Sequence, residues 1–291
     1  MRPREIVVVS GKGGTGKTTL ASVLARELAG QCVLCDADVD VPDLWILLGP
    51  RVQLEEEFVG GDKATLHRPP CDDCGLCVPV CRFGALSAEG GEVVLDRGRC
   101  EGCGACTLVC PREAFSLSPA VQGRVYGSET DLGPFWHARL VPGGENSGRL
   151  VQILRERAKK TALEQGKPWI LVDGPPGIAC PAISAMTGCS AALAVTEPSR
   201  SGLHDLKRLG DLAARFRVPM AVVLNRCDLS EEGSDEIRQA CREKGWPLVV
   251  EIPFLPAVVE DLARARIPEA ISPERVRQIL EGIDTLLAKV K

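Results

Sequence analysis

Three things are missing from this sequence of 291 residues, and each absence excludes a class of function. There is no basic excess: the formal net charge is −4, which argues against a general nucleic-acid surface. No apolar run approaches the length of a membrane span. The opening MRPREIVVVS has neither the apolar core nor the small-residue cleavage site of a secretory signal. A cytoplasmic protein is expected, with no nucleic acid and no membrane among its partners. Cysteine, by contrast, is plentiful. In a reducing compartment, fourteen cysteines point to metal ligation sooner than to disulfides.

Hydrophobic texture sets the fold class. At 45% hydrophobic and 25% charged residues, the chain can bury one large core or one large core plus a small one. Non-alternating apolar runs at 5–9, CVLC (32–35), WILVD (169–173), AALAV (191–195), MAVVLN (220–225) and LVVEI (248–252) are separated by amphipathic helical stretches. Such runs suit strands buried on both faces, and so a doubly wound α/β fold with a mainly parallel sheet. Residues 61–120 break the rhythm. They are dense in Cys, Gly and Pro, and Cys71, Cys74, Cys77 and Cys81 recur 29 residues later as Cys100, Cys103, Cys106 and Cys110. A segment this poor in apolar residues needs metal for stability. It is expected to be a small domain inserted between 1–60 and 121–291 of the host.

The host opens with GKGGTGKT (11–18), a G-x-x-x-x-G-K-[ST] loop directly after a strand and before a helix. Glycine lets backbone N–H groups close around phosphate, and the helix N-terminus adds positive potential. Gly11, Gly13, Gly14, Thr15, Gly16, Lys17, Thr18 and Thr19 are the expected nucleotide contacts. Lys17 should reach the β- and γ-phosphates, and Thr18 should bind Mg2+.

A second lysine, Lys12, makes the loop K-G-G-x-x-K-[ST]. This form resembles the deviant phosphate loop of the MinD, ParA and nitrogenase iron protein group of ATPases. The resemblance covers nearly all of the chain outside the insert. It implies a nucleotide-sandwich homodimer in which Lys12 crosses to the partner's phosphates; the plainer reading of Lys12 is a solvated loop lysine. CDADVD (35–40) is similar to the family's Asp-rich segment, which places Asp36 near Mg2+ and has Asp38 orient the attacking water, with no role assigned to Asp40. DGPPG (173–177) matches the second magnesium and switch segment, putting Asp173 on a metal-bound water and the Gly177 N–H toward the γ-phosphate. Asn225 and Pro253, in LNRCD and the EIPF turn, fall where the family holds adenine. ATP is thus expected over GTP, although NRCD also looks like a guanine motif. Catalytic work should fall to Lys12, Lys17 and Asp38, by positioning and charge neutralisation.

The repeated C-x2-C-x2-C-x3-C is the bacterial ferredoxin pattern, in which three close cysteines and one from the other motif hold each [4Fe–4S] cluster. By that rule Cys71, Cys74, Cys77 and Cys110 hold one cluster, and Cys100, Cys103, Cys106 and Cys81 the other. Pro111 follows the second motif as the pattern expects, whereas Arg82 follows the first. Zinc is the rival occupant. Cys32 and Cys35 read as core, since residues three apart on a strand face opposite sides. Cys189, Cys227 and Cys241 lack ligand-spaced partners. Cys180, seven residues past Asp173, lies where the nitrogenase iron protein has a cysteine ligating the cluster between its subunits. It is a candidate dimer-interface ligand, with plain packing as the alternative.

Residues 124–149 read as a joining stretch, with a GENSG turn (144–148), a structural His137, and Ser147 as a possible coupling residue or a simple helix N-cap. The C-terminal SPERVRQILEGIDTLLAKVK places Val276, Ile279, Leu280, Ile283 and Leu287 on one face, expected to pack on the sheet. Two functions follow as expectations. In one, nucleotide-dependent dimer closure gates electron transfer to a redox partner; in the other, ATP controls delivery of iron–sulfur clusters to apo-proteins. A positioning ATPase of the MinD or ParA kind would gain nothing from clusters.

Overall fold

In a computed structural model that describes residues 2–142, 144 and 147–289, the apolar runs become strands of one sheet. The elements in chain order are β1 (Arg4–Ser10), α1 (Lys17–Glu27), β2 (Cys32–Asp36), α2 (Leu44–Leu48), β3 (Arg51–Leu66), β4 (Leu86–Glu89), β5 (Glu92–Leu95), α3 (Ala105–Val109), β6 (Phe115–Thr130) and β7 (Gly133–Leu140). There follow α4 (Ser147–Glu164), β8 (Trp169–Pro176), α5 (Cys180–Met186), β9 (Ala191–Thr196), α6 (Arg200–Arg215), β10 (Met220–Asn225), α7 (Glu231–Lys244), β11 (Leu248–Ile252), α8 (Pro256–Ala263) and α9 (Pro273–Ala288). Contacts divide the chain into two compact units. The larger comprises Met1–Glu55, Val125–Ala138 and Ser147–Lys291; the smaller comprises Glu56–Arg124 and Arg139–Asn146.

The sheet runs in the order β11-β10-β9-β1-β8-β2-β7-β6-β3. From β11 to β7 the neighbours are parallel. β1 sits centrally, with Val8 opposite Asp173 on one side and Leu193 on the other. Every residue of β2 and β9 is buried, which accounts for their continuous apolar sequence. One core gathers Ile6, Val8, Leu24, Leu34, Phe135, Leu171, Leu193 and Val223 with Val276, Ile279 and Ile283 of α9. Leu280 and Leu287 pack partly buried against it, so the apolar face of α9 is covered by the sheet. No described helix is long and apolar enough to cross a membrane.

The stretch read as a join carries two strand segments instead. β7 pairs with β2, Leu34 opposite Phe135 and Cys35 opposite Trp136, and Phe135 is fully buried. Gly133, Pro134 and the polar residues around them hide the strand pattern. The ring of His137 stacks on Phe135 and Tyr126 at centroid distances of 4.7 and 5.0 Å and shares a hydrogen bond with Ser128. Ser147 is the first helical residue of α4, and Glu145 and Asn146 of the GENSG turn lie outside the described residues.

In the smaller unit β4 and β5 form an antiparallel hairpin. Its core is built from Ala64, Ala85, Leu86, Val93 and Phe115 together with Cys77 and Cys100; Cys81, Cys106 and Cys110 pack partly buried against them. Leu66, Val78, Leu95 and Val109 complete the cluster, in which cysteine is the commonest residue, so apolar area is short and the expectation of metal stabilisation rests on that shortage.

Candidate functional site

The parallel strands bring Ser10, Asp36, Asp173, Thr196 and Asn225 to their carboxyl ends, the edge where open α/β sheets place ligands. Between Ser10 and α1 the loop turns through Gly14 at φ 79° and Gly16 at φ 94°, a region that favours glycine. Close approach adds a second constraint. A Cβ on Gly11 would lie 2.2 Å from the Asp205 Cβ, and one on Gly16 2.5 Å from the Asn225 amide nitrogen. Gly13 and Gly14 face open space. Serine side chains cap α6, α7 and α9, but no side chain caps α1. The first N–H groups of α1 are thus left for another acceptor.

Lys17 is buried, with its ammonium 3.0 Å from Asp173, 3.5 Å from Asp38 and 3.3 Å from the Thr18 hydroxyl. Its basicity is raised: burial opposes the charge, but Asp173, Asp38 and Asp36 together outweigh it. Asp36 is fully buried and its carboxyl is pushed well above the carboxylate range by burial, then by repulsion from Asp173, against the pull of Lys17. It accepts N–H bonds from Asp38 and Leu44, each 3.1 Å. Asp38 is raised as well, by burial first, with Lys17 opposing. Among the described residues, the buried side-chain oxygens without a hydrogen-bond partner are Asp173 Oδ2 and Thr15 Oγ1. Unpartnered buried acceptors are costly, and a cation or its bound water at Asp173 would satisfy one of them. The residues present therefore fit Mg2+ and phosphate.

Lys12, its side chain 32% exposed, is ion-paired within its own chain. Its ammonium is 2.6 Å from Glu197, 3.0 Å from the Ser201 hydroxyl and 3.5 Å from that of Ser199. Glu197 is shared with Arg226 at 3.1 Å. Glu197, Ser199, Ser201 and Arg226 were not picked out from the sequence, yet Glu197 directly follows β9, and the end of a parallel strand is itself a signal. The Gly177 N–H donates to the Ser10 carbonyl at 2.8 Å, so it reaches a phosphate only if this contact opens. Asp40 is exposed.

A cleft beside the loop is lined by Gly16, Thr19, Asn225, Arg226, Pro253 and Phe254, with Leu20, Val223, Ile252 and Val258 supplying apolar walls. Asn225 donates to the Thr15 carbonyl at 2.8 Å, bracing the loop. Asp228 accepts from the Phe254 N–H at 2.6 Å. The carboxylate that a guanine motif would present is thus engaged within the turn.

The cysteines fall into distinct environments. Cys81, Cys100, Cys103 and Cys106 line one cavity with Ala64, Phe83, Leu86, Leu95 and Leu117. Burial raises the Cys77 thiol, with Cys110, Cys71 and Cys74 adding to it. Cys106 is raised by burial, then by Cys100 and Cys103. Backbone N–H groups of Ala64, Ala85 and Ala114 donate to the sulfurs of Cys100, Cys81 and Cys110, each at 3.3 Å. Among the described residues, no three Cys, His, Asp or Glu converge closely enough for a single metal ion. Sulfurs set around a cavity and already hydrogen-bonded by amides fit a polynuclear cluster. Cys32, Cys35, Cys189 and Cys241 are buried, whereas Cys180 is exposed at the start of α5.

Residues 6–268 match the model of the CobQ/CobB/MinD/ParA nucleotide binding domain. An uncharacterised protein of Methanocaldococcus jannaschii is 31% identical over 76% of this chain and 78% of its own. A second from that organism is 29% identical over 78% and 81%. Among solved structures, the cell division ATPase MinD of Pyrococcus furiosus superposes with a TM-score of 0.57 at 21% identity, covering 98% of this chain and 100% of its own. A Cyanothece McdA(D38A)–ATP complex gives 0.56 at 16% identity, covering 99% and 97%. At these identities the two structures speak for the fold alone.

Proposed function

The chain belongs to the CobQ/CobB/MinD/ParA nucleotide-binding family, and on that premise we propose an ATP-hydrolysing iron–sulfur protein. In this reading, nucleotide-dependent closure of a homodimer controls electron transfer through two [4Fe–4S] clusters to a redox partner in the cytoplasm. The observation that carries it is the cavity ringed by Cys81, Cys100, Cys103 and Cys106 in a chain that also has an uncapped phosphate-loop helix. Zinc needs four ligands within about 2.3 Å of one point, so sulfurs around a cavity favour the larger group.

The residues then take these roles. Gly11 to Thr19 wrap the phosphates, and Asn225, Pro253 and the apolar walls take adenine. Thr18, Asp36 and Asp173 hold Mg2+ and its water, which gives Asp173 Oδ2 the partner it lacks. Lys17 leaves Asp173 and Asp38 for the β- and γ-phosphates, and Asp38, so released, orients the attacking water. Lys12 exchanges Glu197 for the partner subunit's phosphates and neutralises developing charge there. Gly177 gives up the Ser10 carbonyl to bond the γ-phosphate, moving the segment that leads to Cys180. Cys71, Cys74, Cys77 and Cys110 hold one cluster; Cys100, Cys103, Cys106 and Cys81 hold the other. When bound, these clusters supply one-electron storage.

Anaerobic purification followed by iron, sulfide and zinc analysis tests the cluster half: about eight iron atoms per chain are expected, and stoichiometric zinc in their place sinks it. ATPase rate against protein concentration tests the dimer half. Specific activity should rise with concentration, and a constant value overturns it. Exposed Cys180 favours one other reading, a cluster carrier with transfer at that thiol. Iron lost readily to an apo-acceptor, and retained in Cys180→Ser, is its signature.

A further inference from the structure

The two cysteine motifs share a backbone. At the 29-residue offset, Asp73 at φ 57° matches Gly102 at φ 63°, Gly75 at 74° matches Gly104 at 77°, and Gly84 at 64° matches Glu113 at 51°. The N–H bonds from Ala85 to Cys81 and from Ala114 to Cys110 also correspond, both at 3.3 Å. Charge does not follow this symmetry. In the first motif Asp72 pairs with Arg112 at 2.7 Å and Asp73 with Arg68 at 2.8 Å. The Asp73 carboxylate also accepts from the Val93 N–H and lies 3.8 Å from the Cys71 sulfur. Asp72 first, with Cys74 and Cys110 in the same sense, raises the basicity of Arg112, which lies two residues past Cys110 and pairs with the residue that follows Cys71.

In the second motif the counterpart of Arg112 is Phe83, and that of Asp73 is Gly102. Phe83, Leu86, Leu95 and Leu117 wall the cavity that contains Cys81, Cys100, Cys103 and Cys106, and Glu101 joins them. The difference is built into the packing. A Cβ on Gly102 would lie 2.0 Å from the Asp62 carbonyl oxygen, so no aspartate can stand there. The nearby cations are engaged elsewhere, Arg99 with Asp96 and Lys63 with the Gly98 carbonyl. Neither they nor exposed Arg82 line the cavity among the described residues.

Resting on the iron–sulfur reading of this unit, we propose that the two centres are electrostatically unequal: the part-exposed ion pairs Arg112–Asp72 and Arg68–Asp73 give the Cys71/Cys74/Cys77/Cys110 centre a polar surround and make it the higher in potential, the place where a single electron comes to rest. An added electron makes a thiolate-bound centre more negative. Polar ion pairs that can reorient favour that charge, whereas apolar walls oppose it. One electron arrives from an external one-electron reductant, no bond is made or broken, and the Cys100/Cys103/Cys106/Cys81 centre becomes the lower-potential member. Arg112 is a positioning residue here, acting on the centre through space.

The test is an EPR-monitored reductive titration with dithionite of the full chain, after iron and sulfide have been counted. Two separate potentials are expected. Arg112→Gln should lower the upper one and leave the lower in place, while Arg112→Lys restores it. Phe83→Arg, at a half-exposed site, should raise the lower potential and narrow the gap, and it keeps the idea testable if Arg112→Gln folds poorly. A single shared potential, or an Arg112→Gln shift felt equally by both centres, overturns the proposal while leaving the cluster reading intact. A chain that binds no cluster refutes that reading itself, and the proposal with it.

Discussion

Replacing Lys17 with methionine should destabilise the nucleotide-free protein, by an amount that depends on pH. Lys17 is 6% exposed and lies between Asp173, 1% exposed, and Asp38, with Asp36 fully buried beside them. Methionine keeps most of the apolar stem but leaves three carboxylates with no cation among them. Stripping one partner from a buried ion pair costs about 3–5 kcal/mol. For a chain of this size that is roughly 6–20 °C in melting temperature. The sign with pH follows from the raised carboxyls of Asp36 and Asp38. An acid whose folded-state value is raised takes up a proton on folding, so its contribution declines as pH rises from the unfolded value through the folded one. Losing Lys17 raises both acids further and extends that decline upward. Thermal melts of the apo protein should therefore show a gap between Lys17→Met and wild type that is wide at about pH 8 and narrower at about pH 5. A variant that melts with wild type at both pH values, or a gap that widens toward acid, would refute the placement of Lys17 among these three acids.

Asp36→Asn turns an amide N–H toward one of the two backbone donors that Asp36 now satisfies, so the readout is pH dependence: its melting temperature should fall less than that of wild type between about pH 5 and pH 8, while Mg-dependent nucleotide binding weakens, and an undiminished fall would contradict the raised carboxyl. Lys12→Ala should leave nucleotide affinity within a few-fold yet remove most ATP hydrolysis, by about 10³-fold if it acts as an arginine finger does. Equal loss of both, seen by calorimetry and phosphate release, would assign Lys12 to ordinary binding. Thiol labelling at about pH 8 should modify exposed Cys180 quickly, because burial pushes Cys32 and Cys189 up to about 12 and Cys241 up to about 11 and the thiolate is the reacting form. Exposed Cys74 and Cys103 should label in iron-free protein and be protected after reconstitution. Mass spectrometry separates these cases.

The parallel sheet was legible because strands buried on both faces carry no alternation, and β1, β2 and β8 to β11 stand out as unbroken apolar runs. The phosphate loop was legible because its glycines and lysines are fixed by close approach, which Gly11 against Asp205 and Gly16 against Asn225 illustrate. β7 was not, because Gly133 and Pro134 read as turn residues until Phe135 is seen buried beside Leu34. Glu197 escaped notice for a different reason. A lone acid after a strand looks solvated, and only tertiary contact brings Lys12 and Arg226 to it. The cysteine repeat was plain from spacing, but its charge asymmetry was not. Asp73 and Gly102 acquire meaning only once their shared left-handed backbone and the Asp62 carbonyl are known.

The central claim is that nucleotide state is felt by the iron–sulfur centres. The most direct measurement is the EPR spectrum and reduction potential of the reduced, fully loaded protein, recorded anaerobically with Mg-ATP, with Mg-ADP and with neither. A shift on adding Mg-ATP, absent with Mg-ADP and absent in Lys12→Ala, is the predicted result. Spectra and potentials that stay the same in all three conditions, from protein with saturated nucleotide sites, would contradict it.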